Sequence, residues 1–117
     1  MMAGAFLSHV KRSSSKIIAT ISSKMGSIED NSSGGRYSYR TSKSAVNMVM
    51  KSLAVDLKPA GVIAVALNPG WVRTRMGGQG APLSVEASAA GLRSVLDRLT
   101  MQDSGAFLNH DGEIIPW

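Results

Sequence analysis

The feature that most constrains this chain is the placing of two short, uninterrupted apolar runs. Ile17 to Ile21 ("IIATI") and Val62 to Leu67 ("VIAVAL") contain no charged residue. Runs of this length without apolar/polar alternation read as strands buried on both faces. Between them the period changes. From Ser38 to Leu57, the residues Val46, Val49, Met50, Leu53 and Leu57 fall on one helical stripe, and Pro59 and Gly61 end it. A second helical stretch runs from about Val85 to Leu99 and carries Ala89, Leu92, Val95, Leu96 and Leu99. Ser84 is its N-cap, and Glu86 sets a negative charge in the first turn, where the helix dipole favours one. A last short strand is expected at Ala106 to Leu108. After it the Asp111-Gly112 pair can turn Glu113 to Ile115 back as a hairpin arm.

Strands separated by helices, each strand apolar throughout, imply a parallel sheet with helices on both faces, joined by right-handed crossovers. The rest of the chain is consistent with that plan. Phe6, Leu7 and Val10 have helical spacing ahead of Lys11 and Arg12, so residues 2 to 12 read as the last turns of a further helix. "KMGSIEDNSSGGR" is rich in turn formers and reads as loop, as does the stretch from Pro69-Gly70 to Leu83.

Composition narrows the function. The chain has 117 residues, the size of one small domain, with 44% hydrophobic and 18% charged residues. Its net charge is +5, but the basic residues are scattered, and the tight groups are Lys11-Arg12 and Arg73 with Arg75. No basic stripe of the kind that tracks a phosphate backbone is present, which argues against nucleic acid as a partner. The absence of cysteine excludes disulfides, thiolate metal sites and a cysteine nucleophile. His9 and His110 lack metal-ligand spacing, so no metal is expected. No apolar run approaches the roughly 20 residues of a membrane span, and the first residues lack a signal-peptide pattern. The expected location is the cytoplasm, with no membrane partner.

One constellation carries chemistry. Tyr39 and Lys43 stand four apart near the start of the first long helix, so their side chains share a face. A phenol titrates near pH 10 in isolation, and a fixed cation beside it favours the phenolate. Ser22 and Ser23 follow directly on the first strand, where a hydroxyl could hold a substrate oxygen. Asn68, Pro69, Gly70 and Thr74 follow the next strand on the same side. Sites in parallel α/β sheets form at the carboxyl ends of strands. Tyrosine and lysine four apart occur often by chance on a helix surface. The agreement of three segments on one rim favours a site.

"IIATISSKMGSI", "YSYRTSKSAVN" and "LNPGWVRTRMGG" resemble three signatures of the short-chain dehydrogenases/reductases. The nearest branch is the C-factor-like or sniffer-type carbonyl reductases, which combine this Ser loop, a YxYRxSKxAxN helix, PGWVxTxMGG and a tail like "DGEIIPW". The resemblance covers essentially the whole chain. It implies the C-terminal part of a Rossmann-like doubly wound parallel sheet, about three strands with covering helices, in a single partial domain over 1–117. It implies an NAD(P)-dependent oxidoreductase, NADP ahead of NAD, that reduces a small carbonyl or oxidises an alcohol. Ser23 would hydrogen-bond the substrate oxygen, Tyr39 would exchange a proton with it, and Lys43 would act on Tyr39 and bind the nicotinamide ribose. Pro69, Gly70, Val72 and Thr74 would line the nicotinamide. Ser22 competes with Ser23, and Tyr37 with Tyr39, although only Tyr39 has Lys four residues on. Met76 and Leu83 suggest a modest, apolar carbonyl. Pairing of two copies through the helix bearing Tyr39 is also implied.

The sequence departs from the family at the front. The Gly-rich turn that seats the dinucleotide pyrophosphate at a helix N-terminus has no match, and neither does the catalytic Asn of the preceding helix. The expectation is therefore that the N-terminal Gly-rich half is absent and residue 1 falls midway along a full-length member. Ile17 to Ile21 would then carry an open, apolar edge. The 117-residue chain alone would be weakly active or inactive, since much of the cofactor's binding energy belongs to the missing half. Two other readings stand beside the reductase. In one the chain is a non-catalytic binding or signalling fragment that keeps the fold remnant. In the other it is a truncated reading frame without a stable fold.

Overall fold

A computed structural model of the chain describes residues 16–73 and 78–117. The helix expected over residues 2 to 12 lies outside the described residues, as do Thr74, Arg75 and Met76. Within them the order is strand β1 (Ile17–Ile21), helix α1 (Tyr37–Leu57), strand β2 (Ile63–Asn68), helix α2 (Val85–Asp97) and strand β3 (Phe107–Asn109). The three strands form one sheet in the order β1-β2-β3, and both pairings are parallel. Ile17 pairs with Ile63 and Ile21 with Leu67, while Ala66 pairs with Phe107 and Asn68 with Asn109.

The central strand explains why its run is apolar throughout. Every residue of β2 is buried, and side chains alternate between the two faces of the sheet. Ala64 and Ala66 point to one side, where they pack with Met50 and Ala54 of α1 and with Phe107 and Ile115. Ile63, Val65 and Leu67 point to the other side and pack with Val95 of α2 and Leu108. The small alanines on the first face leave room for a long helix to lie close.

Helix details differ from the expected stripes in instructive ways. The buried residues of α1 are Asn47, Met50, Ala54 and Leu57, with Val46 and Leu53 half-buried, whereas Val49 is exposed. The inward stripe thus continues the face of Lys43, and a polar residue fills one of its buried places. In α2 the buried residues are Ser88 and Val95, while Ala89 is exposed. The Ser88 hydroxyl donates to the Pro69 carbonyl at 2.7 Å. Ser84 caps α2 by accepting the Ala87 N–H at 3.0 Å. The expected return arm after β3 is present in reduced form. Gly112 turns with φ 91, Leu108 bridges Ile114 in antiparallel fashion, and the Ile115 N–H donates to the Phe107 carbonyl at 2.8 Å.

Candidate active site

All three strands run in the same direction, so their carboxyl ends share one rim. Asn68, at the end of β2 and only 7% exposed, ties that rim together. Its Oδ1 accepts the Lys24 N–H at 3.0 Å, and its Nδ2 donates to Oδ1 of Asn109 at 2.8 Å. One side chain therefore links the turn after β1 to the end of β3.

The two serines after β1 have separate environments. Ser22 is buried, and its hydroxyl donates to Oδ1 of Asn47 at 2.6 Å. Its backbone N–H donates to the Leu67 carbonyl at 2.7 Å, extending the β1–β2 ladder by one residue. Ser22 is thus spent on the joint between sheet and helix. Ser23 is half-exposed and opens a short 3-10 turn, Lys24–Gly26, where its Oγ accepts the Met25 N–H at 3.2 Å.

That turn lies against α1. The Ser44 hydroxyl donates to the Gly26 carbonyl at 2.7 Å, and the Arg40 guanidinium donates to the Met25 carbonyl at 3.3 Å. A Cβ added to Gly26 would stand 2.9 Å from the carbonyl carbon and Cβ of Lys43, so glycine is what allows the close approach. The turn after β1 and the helix segment from Arg40 to Asn47 are locked by contacts from both sides.

Tyr39 and Lys43 share this first part of α1. The Lys43 ammonium lies 5.7 Å from the centroid of the Tyr39 ring, and the Arg36 guanidinium lies 5.2 Å from it. Two cations therefore face one phenol ring. Among the described residues no carboxylate neutralises Lys43. The competing Tyr37 is 81% exposed and stands apart from this arrangement.

The segment after β2 is held from beneath. Gly70 has φ 83, and a Cβ there would stand 2.9 Å from both Cδ2 of His110 and Cδ2 of Leu83. Both the backbone angle and the packing require glycine. Val72 bridges Leu83, the Arg73 N–H donates to the Leu83 carbonyl at 2.7 Å, and the Leu83 N–H donates to the Trp71 carbonyl at 3.2 Å. Pro69, Gly70 and Val72 thus form a fixed ledge beyond β2. The structure brings Ser23, Tyr39 and Lys43 to the same pair of elements and sets this ledge beyond the neighbouring strand. Thr74, the fourth residue expected on the ledge, lies outside the described residues. Asn47 was missed as a structural partner, though its spacing of four from Lys43 places it on the inward face. Among the described residues no group of three or more His, Asp or Glu stands together.

The short chain dehydrogenase family model matches residues 1–82, most of the chain. The chain belongs to the short chain dehydrogenase family. It is 41% identical over 113 residues to C-signal of Myxococcus xanthus, covering 97% of this chain and 68% of that protein. It is 40% identical over 104 residues to 1-hydroxy-2-glutathionyl-2-methyl-3-butene dehydrogenase of Rhodococcus sp. (strain AD45), covering 86% of this chain and 46% of that one. Among solved structures it resembles the carbonyl reductase Sniffer of D. melanogaster, with a TM-score of 0.93 and 41% identity over 99% of this chain and 51% of that one. It also resembles the NADPH-bound carbonyl reductase from chicken fatty liver, with a TM-score of 0.90 and 37% identity over 99% and 51% of the two chains. The chain spans about two thirds of C-signal and about half of each of these other relatives. As a short chain dehydrogenase it carries a Rossmann-like portion of the parallel sheet, with a helix on each face.

Proposed function

We propose that the 117 residues form a single partial domain of an NAD(P)-dependent carbonyl reductase, or alcohol dehydrogenase in the reverse sense, acting through Ser23, Tyr39 and Lys43. The observation that carries this reading is the ammonium of Lys43 held 5.7 Å from the Tyr39 ring, on the helix turn that packs against the Ser23 turn. The nicotinamide, when bound, supplies or accepts the hydride. Ser23 offers its hydroxyl to the carbonyl oxygen of a small substrate. Tyr39 passes a proton to that oxygen in reduction and takes it back in oxidation. Lys43, without a carboxylate partner among the described residues, stabilises negative charge at the phenol oxygen and has donors free for ribose hydroxyls. Pro69, Gly70 and Val72, and by the family pattern Thr74, would line the nicotinamide.

The residues suit the nicotinamide end of such a cofactor: a ledge held by hydrogen bonds after β2 and an ammonium without a carboxylate partner among the described residues. NADP is favoured over NAD because similar carbonyl reductases are recorded with NADPH or NADP. The sequence holds no Gly-rich turn for the pyrophosphate, so the 117-residue chain should bind cofactor weakly and turn over slowly or not at all. The test is a fluorescence titration of NADPH and NADH, with a carbonyl-reduction assay on the chain and on Tyr39→Phe. Residual turnover should fall by about 10²-fold or more in Tyr39→Phe, the usual size of a lost acid–base group. Unchanged turnover in that variant would overturn the assigned chemistry, and tight NADPH binding would overturn the weak-cofactor expectation. The exposed Tyr37, Met48 and Val55 on α1 support pairing of two copies, which sedimentation would detect.

A second reading is a non-catalytic binding or signalling domain. It is favoured by the similarity to a protein called C-signal. A cooperative melt without any cofactor binding would support this second reading.

A further inference from the structure

The tail of the chain reaches back to the Ser23 turn. Beyond the Asp111-Gly112 turn, Ile115 is 6% exposed and packs with Met50, Ala54 and Phe107 on the α1 side of the sheet. Trp117 stacks on the Phe107 ring, with centroids 5.5 Å apart and planes 17° from parallel. Phe107 is fully buried, so the indole rests on a fixed platform. From that platform the tail makes two polar contacts. The Ser27 hydroxyl donates to the Pro116 carbonyl, 89 residues away in sequence, and the Ile28 N–H donates to the Trp117 carbonyl.

These contacts bear on Ser23 through a short, closed path. Ser27 is 1% exposed, and its N–H donates to the Lys24 carbonyl at 3.0 Å. The Gly26 N–H donates to the Ser23 carbonyl at 2.8 Å. The turn is therefore gripped at its start by Asn68, on its flank by Ser44 and Arg40, and at its end by the tail. Of these grips, the one at the end comes from residues without a place in the sheet or in a helix.

We propose that Pro116-Trp117 is a strap that sets the position of the Ser23 hydroxyl, and that Trp117 and Ser27 are positioning residues for it. The functional half of this statement rests on the reading of Ser23 as the group that holds the substrate oxygen. The structural half does not. β1, β2 and α1 are joined by their own ladder and core, so loosening the strap should free the turn and leave the sheet intact.

The experiment compares Trp117→Ala, Trp117→Phe and Ser27→Ala in the 117-residue chain by amide hydrogen exchange, the Ser23 amide resonance and carbonyl-reduction kinetics. In Trp117→Ala, the amides of Gly26, Ser27 and Ile28 should exchange about tenfold faster while those of Val65, Ala66 and Leu67 stay within about twofold. The Ser23 resonance should move, and kcat should fall about tenfold with KM for NADPH nearly constant. Trp117→Phe, which keeps the ring stacking, should restore all three. Ser27→Ala removes the bond to the Pro116 carbonyl, together with the Asp30 N–H bond that the same hydroxyl accepts at 3.1 Å, without touching the platform, and should show the same effects in smaller measure. Equal loosening of turn and sheet in both alanine variants would overturn the strap, as would a Ser23 resonance that stays in place in both. If the 117-residue chain shows no turnover, which the absence of a pyrophosphate turn from its sequence already accommodates, exchange and the Ser23 resonance decide the strap without the kinetics.

Discussion

Replacing Gly26 by alanine tests how tightly the turn after β1 is set against α1. The new methyl would stand 2.9 Å from the Lys43 carbonyl carbon, 2.9 Å from its Cβ and 3.1 Å from Nδ2 of Asn47. Ordinary contact begins near 3.4 Å, so the turn or the helix must give by about half an ångström. Retreat is costly for the turn. Gly26 is bonded through its carbonyl to Ser44 at 2.7 Å and through its N–H to Ser23 at 2.8 Å. The obstructing atoms of Lys43 are its backbone carbonyl carbon and Cβ, inside the hydrogen-bonded part of a long helix, and cannot swing aside. Overpacking of this kind destabilises by about 1–3 kcal/mol, or a melting temperature lower by roughly 4–12 °C for a domain of this size. Urea unfolding followed by circular dichroism should show the midpoint falling with an unchanged slope. Gly80→Ala is the matched control, because a Cβ there meets open space. Residual carbonyl reduction should fall by up to about a hundredfold, since Ser23 moves with the turn. A stability change below about 0.5 kcal/mol in Gly26→Ala, the scatter of neutral surface changes, would refute the close packing of turn on helix.

Ser22→Ala leaves buried Asn47 without its hydroxyl partner at Oδ1, while its Nδ2 already has none among the described residues. A loss of about 1–3 kcal/mol is expected, and the double variant Ser22→Ala/Asn47→Leu should be less destabilised than the sum of the two singles, as a double-mutant cycle would read. Asp111 has its carboxyl held below the ordinary 3.8, first by the Glu113 N–H donating to it at 2.9 Å, against the opposing effect of desolvation, with Asn109 and His110 lowering it further. A depressed folded pKa contributes stability above the unfolded value that disappears as pH falls through the folded one. Asp111→Asn should therefore lower the melting temperature slightly at pH 7, and the difference should fade as pH falls below the usual carboxylate range.

Much of the fold was legible because it follows from local pattern. Ile17–Ile21 announced a strand with its observed limits, and the runs at Val62 and Ala106 announced strands shifted by a residue. Ser84 and Pro59 marked helix ends by chemistry that acts within one turn. The Tyr39–Lys43 pairing was legible for the same reason, since four residues on a helix fix a distance without help from the rest of the chain. Legibility failed where a polar side chain entered the core. Asn47 and Ser88 are buried while Val49 and Ala89 are exposed. A hydrophobic stripe cannot announce that an inward place will be filled by a residue whose partner lies on another element. Ser22 and Ser23 looked equivalent in sequence, and only the direction each side chain takes at the end of β1 separates them.

The sequence by itself determined the strand–helix order, the covered faces of β2 and the one-turn spacing of phenol and ammonium, because each depends on residues a few places apart; the same reading overstated β1, where Ala19 and Ile21 are exposed. Tertiary structure decided which serine is spent on Asn47, how Asn68 joins the three strand ends, and that Trp117 reaches the Ser27 turn. Those contacts join residues 25 to 89 places apart. They exist only once the parallel register brings the strand ends onto one rim, and register is a property of the assembled sheet and of no single segment.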